Sequence, residues 1–281
     1  MTHVQIRPSL LNTLKDKVVV LTGGSTGIGR CAVEQFHEHG ARVVFGDVSL
    51  DAGRELATRL GPGVRFLPCD SSSYTDQLAL FREAEQAFGG VDIVVANSGI
   101  ANHKDIFDPS CDINVEPSMK EIDVNLKGAL YTTRIGLHYL RQRSGGDVVL
   151  VSSISGFKEC VGLGTYTAKT RMVKGIEKGW YERQLPVNEP RDVAESILLC
   201  ATANRGNSET HEGAVLPFAG KILYVSGGKS YEIEDQIQQL EPAWLGEENS
   251  RVLQAGQEYL ASAGTSWDVT KGAAGVFLKG C

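Results

Sequence analysis

Two stretches of the sequence carry side chains that could perform acid–base chemistry. Tyr166 is followed three residues later by Lys169, and Ser153 precedes the tyrosine by thirteen residues. A phenol has a reference pKa of about 10, so it is a poor base at neutral pH unless a positive charge lies close to it. A cation about 4 Å away, at an effective dielectric constant of about 20, contributes roughly 4 kcal/mol, or about three pKa units. Tyr166 and Lys169 are therefore a candidate proton-transfer pair.

A glycine-rich turn lies near the start of the chain, in the sequence VVVLTGGSTGIGR. Glycine lets the backbone turn tightly and approach a diphosphate, whose charge is then met by free N–H groups at a helix N-terminus. The turn therefore predicts a dinucleotide site, and the alternative is a turn that needs glycine only for packing. The predicted cofactor contacts at this turn are Gly23, Ser25, Thr26, Gly27, Ile28 and Gly29.

Asp47 ends the second predicted strand, where its carboxylate could accept hydrogen bonds from both hydroxyls of an adenosine ribose. The same charge would repel a 2′-phosphate, so the sequence favours NAD over NADP as the cofactor. Arg30 lies close enough in sequence to keep NADP as an alternative. A helix-capping or turn role is the other interpretation of Asp47. Asp70 ends the third strand with Ser71 behind it, and these residues either contact the adenine or cap the next helix.

From Lys17 onward, short β-branched runs alternate with longer segments of helical period. This alternation predicts an α/β fold, a doubly wound parallel sheet with helices on both faces. Each predicted strand is a short apolar run with turn residues near its ends. The predicted strands are 17–22, 41–47, 64–70, 91–97, 147–153 and 221–227.

Glycines mark the ends of the first three predicted helices, at Gly40, Gly61 and Gly89. Glycine is favoured there because the residue after a helix often has a left-handed backbone. Further helices are predicted over 117–143 and 191–203. We expect residues 1–281 to form one domain that ends in a helical tail from about residue 241.

The composition excludes several classes of partner. The chain has 281 residues, 42% of them hydrophobic and 22% charged, with a net charge of -6. The charges are mixed along the chain without a long run of one sign, which disfavours nucleic acid and anionic membrane as partners. The six cysteines lack metal-ligand spacing, and no apolar run approaches the roughly 20 residues of a membrane span. We therefore expect a cytoplasmic protein without a structural metal.

Four motifs follow one another along the chain, namely TGGSTGIG (22–29), ANSG (96–99), VNLKG (124–128) and VSSISG (151–156), the last followed by Tyr166. Together they resemble the motifs of the short-chain dehydrogenase/reductase family. The likeness covers about Lys17 to Ala168 and resumes at 189–199 and 221–228. It implies a Rossmann fold and the activity of an NAD-type alcohol dehydrogenase.

The resemblance also assigns roles to individual residues. Tyr166 matches the family's acid/base, Ser153 the serine that hydrogen-bonds the substrate oxygen, and Asn125 the asparagine that holds a water in the proton relay. Structural roles are the alternatives, since Asn125 could only fasten a helix to a strand and Ser153 could only cap a strand end. The stretch assigned to the adenosine side of the cofactor is Asn97, Ser98 and Gly99.

The sequence departs from the family pattern after the tyrosine. The family's lysine lies four residues after the tyrosine, whereas Lys169 lies three residues after it, although both spacings share a helix face. The family also has a helix and a sixth strand before the segment that 189–199 resembles, which together need upward of about 20 residues. Only nineteen residues separate Lys169 from Glu189, and they contain no β-branched run.

An alternative alignment accounts for this departure. The segment KTRMVKGIEKGWYERQLPVN is similar to the family's substrate-side segment, in which a Thr-x-Met pair lies near the nicotinamide, so Thr170 is a further candidate cofactor contact. One block would then be missing between Ala168 and Lys169, and Lys169 would be an accidental lysine. If the block is absent from the protein, the sheet lacks a strand and the last strand must pair elsewhere.

The sequence thus predicts an NAD-dependent oxidoreductase that interconverts a secondary alcohol and a ketone. We expect a small-molecule alcohol or ketone as the partner, and a homo-oligomer if the missing helix is present. A degenerate binding or scaffolding protein is the second hypothesis, motivated by the shortened segment after Ala168. A lyase, isomerase or cyclase without net redox change is the third.

Overall fold

A computed structural model describes residues 1–101, 106, 109–143, 145–153, 188–206 and 209–262. Its strands are β1 (Thr2–Val4), β2 (Val18–Thr22), β3 (Arg42–Asp47), β4 (Val64–Pro68), β5 (Ile93–Ala96), β6 (Asp147–Leu150), β7 (Leu223–Ser226) and β8 (Lys229–Glu232). Its helices are α1 (Pro8–Leu11), α2 (Gly27–Glu38), α3 (Leu50–Leu60), α4 (Tyr74–Phe88), α5 (Lys120–Ile122), α6 (Gly128–Gln142), α7 (Pro190–Thr202), α8 (Glu234–Leu245) and α9 (Glu247–Ser262).

Five of these strands form a parallel sheet in the order β4-β3-β2-β5-β6. Successive residues of β2 contact opposite layers, as the period of two in a strand requires. Val19 and Leu21 pack into the core beneath α2 and α7, whereas Val18 and Val20 pack into the core beneath α4 and α6. The predicted doubly wound fold with helices on both faces is confirmed.

The glycines predicted to end helices have the expected backbone. Gly40, Gly61 and Gly89 have φ of 81°, 83° and 80°, in the left-handed region that favours glycine. The prediction of a single helix over 117–143 is wrong in detail. The observed helical segment begins at Lys120 and passes through a π-helical stretch, Asp123–Lys127, before α6.

The last predicted strand does not join the parallel sheet. Residues 223–226 form β7, which pairs antiparallel with β8, and β8 pairs antiparallel with β1. The short turn at Gly227 and Gly228, with φ of 56° and 72°, folds β8 back onto β7. Within the described residues, β6 is therefore the edge of the parallel sheet. No helix that the structure describes is long and apolar enough to cross a membrane.

A buried histidine fastens the N-terminal segment to α7. His211 is fully buried, and its Nδ1 accepts a hydrogen bond from the backbone N–H of Arg7 at 3.0 Å. Nε2 must therefore carry the proton and donate to the Thr202 hydroxyl at 2.9 Å, and that hydroxyl donates to the carbonyl of Leu198. Burial lowers the pKa of His211 below its ordinary value, because the charged ring would lose its hydration.

This arrangement predicts loss of stability in mild acid. The unfolded chain binds a proton at His211 at higher pH than the folded chain does, so the stabilisation is complete above about pH 6.5 and is lost as the pH falls below it. We expect the free energy of unfolding, measured with urea, to fall between pH 7.5 and pH 5.5. His211→Gln should flatten this dependence, whereas His138→Gln, on an exposed helix face, should leave it intact. An unchanged pH dependence in His211→Gln would contradict the assignment.

Candidate cofactor and catalytic site

The glycine turn connects β2 to α2 through a close backbone contact. A Cβ placed on Gly29 would lie 1.9 Å from the carbonyl oxygen of Gly23, so no side chain fits there. Gly23 has φ of 73°, and its N–H donates to the carbonyl of Gly46 at 2.7 Å. The turn is thereby held against the end of β3.

The N-terminus of α2 has the geometry that receives a diphosphate. Thr26 is the N-cap residue and makes no side-chain capping hydrogen bond. Gly27 has φ of 55°, and a Cβ there would meet nothing within 4 Å among the described residues, so the space over the turn is open. The N–H groups of the first helical turn have no partner within the helix, and together with the positive end of the helix dipole they favour an anion at this point. Ile28 is buried behind the turn and supports it from the core.

Two buried polar atoms beside the turn have no hydrogen-bond partner among the described residues. They are the hydroxyl oxygen of Ser25 and the side-chain carbonyl oxygen of Asn97. Unsatisfied buried polar atoms are costly, and they are common where a ligand completes the hydrogen bonding. Together with the open space over Gly27, they fit a dinucleotide bound at the turn.

Asp47 faces the glycine turn from the end of β3. One carboxylate oxygen accepts the N–H of Ser25 at 2.9 Å, and the other accepts the N–H of Ser49 at 2.9 Å. These bonds fix the carboxylate where a ribose would lie beside the turn. Arg30 points to acidic partners instead, with its Nε 3.2 Å from Glu34 and its Nη2 3.6 Å from Glu55.

Asp70 organises the turn before α4. One oxygen of its carboxylate accepts hydrogen bonds from the hydroxyl and the backbone N–H of Ser72, and these bonds hold the pKa of Asp70 below its ordinary value. The N-cap of α4 is Ser73, whose hydroxyl accepts the N–H of Asp76. Ser71 is buried, and its hydroxyl donates to that of Ser98 at 2.6 Å. Ser73, and not Asp70, therefore caps α4, while the side chain of Asp70 holds the turn before it.

Asn97 ties the end of β5 to the glycine turn. Its side-chain amide donates to the carbonyls of Thr22 at 3.1 Å and Gly23 at 2.9 Å. Thr22 is a site residue that the sequence analysis missed, and its hydroxyl accepts the N–H groups of Asn97 and Ser98. Gly99 is exposed and follows directly. The threonine before the first glycine of the turn was the available signal.

Asn125 lies within the π-helical stretch and fastens it to the segment after β5. Its side-chain oxygen accepts the N–H of Ile100 at 2.8 Å, and its amide donates to the carbonyl of the same residue at 2.8 Å. The side chain therefore fastens a helical segment to the chain after a strand, which is the structural role that the sequence offered as an alternative for Asn125. A π-helical stretch interrupts the regular ladder of backbone bonds and often occurs at functional sites.

The two serines after β6 lie at the mouth of a large cavity. Ser152 and Ser153 line a space of about 1070 Å³. They follow the carboxyl end of β6, as the glycine turn and Asp47 follow the carboxyl ends of β2 and β3, and ligands bind at this edge of doubly wound sheets. Tyr166, Lys169 and Thr170 lie outside the described residues. Among the described residues, no three side chains are grouped as metal ligands.

Comparisons with known proteins agree on the family. The family model described as short chain dehydrogenase matches residues 17–184. A short-chain dehydrogenase/reductase, ascJ, from Acremonium egyptiacum is 36% identical over 84% of this chain and 87% of its own. An NADP-dependent (R)-specific alcohol dehydrogenase from Lentilactobacillus kefiri is 35% identical over 60% of this chain and 67% of its own. A crystal structure titled short-chain dehydrogenase/reductase, glucose/ribitol dehydrogenase, from Brucella melitensis has the same fold, with a TM-score of 0.58 and 24% identity over 67% of this chain and 90% of its own. The chain belongs to the short-chain dehydrogenase family of oxidoreductases.

Proposed function

We propose that this protein is an NAD(H)-dependent oxidoreductase that interconverts a secondary alcohol and a ketone. The observation that carries the proposal is the position of Asp47, whose carboxylate is fixed against the N–H of Ser25 beside the open glycine turn. A carboxylate there can accept the ribose hydroxyls of a dinucleotide whose diphosphate lies on the N-terminus of α2.

The choice of NAD over NADP rests on charge. Asp47 would repel a 2′-phosphate, and Arg30, the nearby cation that could favour one, is paired with Glu34 and Glu55. Arg59 also pairs with both glutamates, so the acidic side chains hold two cations in one network. The relative from Lentilactobacillus kefiri is NADP-dependent by name, so NADP is the alternative cofactor for this chain.

Four residues of the chain would have separate roles in the reaction. When bound, the nicotinamide would accept or supply the hydride. Tyr166 would move the proton to or from the substrate oxygen, and Lys169 would favour the ionised phenol in that role. Ser153 would hydrogen-bond the same oxygen from the end of β6. Asn125 would hold the water of the proton relay through its main chain, since its side chain is bonded to Ile100.

A binding protein without turnover is the second candidate. The observation that favours it is the parallel sheet of five strands that ends, within the described residues, at β6. A protein of this kind would retain the glycine turn and Asp47 and bind the cofactor without oxidising an alcohol.

The cofactor preference gives the first test. We expect NADH to quench the protein's fluorescence at concentrations at least about tenfold lower than NADPH does, because a 2′-phosphate beside Asp47 meets a like charge. Asp47→Ser should narrow or reverse this preference, and Asp51→Ser, in the first turn of α3, is the matched control that should preserve it. Equal affinity for the two cofactors in the unaltered protein would overturn the NAD assignment.

The acid–base role gives the second test. Tyr166→Phe should reduce NAD-linked turnover of a secondary alcohol by about a hundredfold or more, as expected for loss of a general acid/base, while leaving NADH binding unchanged. Tyr74→Phe, at the first residue of α4, is the control. Full activity in Tyr166→Phe would remove the proposed acid/base. Tight NADH binding with no turnover on any secondary alcohol in a panel would favour the binding protein.

A further inference from the structure

Two strand edges face one cleft in the structure. The cleft lies between β6 and β7 and has a volume of about 1070 Å³. Within the described residues, β6 pairs only with β5, and β7 pairs only with β8. The residues of both strands line the cleft. We call this space the strand cleft.

The edge of β6 presents backbone groups to the strand cleft. The N–H groups of Asp147 and Val151 donate to carbonyls at either end of β5. Alternate residues of a parallel strand bond to opposite neighbours, so the N–H and C=O groups of Val148 and Leu150 point away from β5. The side chain of Leu150 is half exposed there. This edge is a template for a further strand.

The edge of β7 is arranged in the same way. The side-chain amide of Asn188 donates to the carbonyl of Val225 at 2.7 Å, so this carbonyl points away from β8. By alternation along the strand, the backbone groups of Leu223 point in the same direction. A side chain outside the sheet thus already bonds to β7 on the open side.

Apolar side chains line the strand cleft on both faces, among polar ones such as Ser196 and Lys221. Val193, Ile197 and Cys200 of α7 line one wall, and Leu137 and Leu140 of α6 also line the cleft. A small apolar molecule would satisfy these walls but would leave the backbone groups of Val148, Leu150 and Leu223 without partners among the described residues, which is costly. An extended polypeptide satisfies the walls and the edges together.

The size of the cleft suits one strand. A strand rises about 3.3 Å per residue, lies about 4.8 Å from its neighbours and is covered by layers about 10 Å apart, so five residues occupy about 800 Å³. The sequence of a strand that is covered by helices on both faces is a nearly continuous run of apolar residues. The buried strands of this protein have such runs, as in VVVL (18–21) and IVVA (93–96).

The chain's own connection between β6 and α7 has no such run. In residues 154–187, no more than two consecutive residues are apolar, as in Met172-Val173 and Trp180-Tyr181. We propose that the strand cleft binds an apolar, extended segment of another polypeptide, which adds a strand to β6 in parallel and closes the gap to β7. Its affinity comes from main-chain hydrogen bonds and its selectivity from the apolar walls.

A peptide copied from β5 tests the proposal. The sequence VDIVVAN, residues 91–97, already pairs in parallel with β6 inside the protein, so a synthetic copy with two lysines at each end has a strand of suitable type. When this peptide is added to the full chain at up to about 1 mM, it should raise the midpoint temperature of the protein's unfolding. It should also slow amide hydrogen exchange at Val148 and Leu150 by at least about tenfold. The control peptide has proline in place of the residue equivalent to Val94, which removes a backbone donor, and should have no effect.

Variants of the full chain complete the test. Cys200→Phe fills the cleft from α7 and should abolish peptide binding while leaving NADH binding intact.

Phe277→Asp alters the one run of three large apolar residues, 276–278, in the sequence after residue 262. If the peptide binds only in Phe277→Asp, the chain's own end competes for the cleft and the assignment to another polypeptide is wrong. The proposal is overturned if the peptide does not slow amide hydrogen exchange in either the unaltered chain or Phe277→Asp. This outcome does not depend on whether Cys200→Phe folds.

Discussion

The approach of one glycine to the carbonyl of another is the constraint on which the site depends. Gly29 lies so close to the Gly23 carbonyl that a Cβ would be 1.9 Å from its oxygen. Asn97 donates to that carbonyl from the end of β5, and the Gly23 N–H donates to the end of β3. The ends of three neighbouring strands are thus connected through one turn. A displacement of any of these strands would change the position of the N-terminus of α2, where we propose that the cofactor binds.

Features encoded by neighbouring residues could be predicted from the sequence. The glycines after the first three helices have left-handed backbones because no other residue adopts that conformation so readily, and the sequence shows them directly. The five parallel strands followed from short apolar runs, since both faces of such a sheet are covered. The sequence placed Asp47 at the end of β3, and the structure adds that Ser25 and Ser49 hold its carboxylate. Local pattern therefore located the glycine turn and the carboxylate beside it, and their role in cofactor binding stays a prediction.

Features that depend on distant residues could not be predicted in the same way. Residues 223–226 have the pattern of a strand, but that pattern does not specify whether the partner is parallel or antiparallel. Their pairing with β8 depends on the turn at Gly227 and Gly228, which the sequence analysis did not use. The π-helical stretch at Asn125 is likewise held by its bonds to Ile100, a contact between segments far apart in sequence. The proton-transfer residues Tyr166 and Lys169 stay predictions.

The small sheet that joins β1 to β8 has a consequence for biosynthesis. Thr2 in β1 pairs with Glu232 in β8, and the strands of the parallel sheet lie between them in the sequence. A ribosome makes β1 long before it makes β8, so β1 lacks its partner while the parallel core forms. Contacts between such distant segments are slow to close. We therefore expect the antiparallel sheet of β1, β8 and β7 to form late in folding, after the ribosome has made the β7–β8 hairpin.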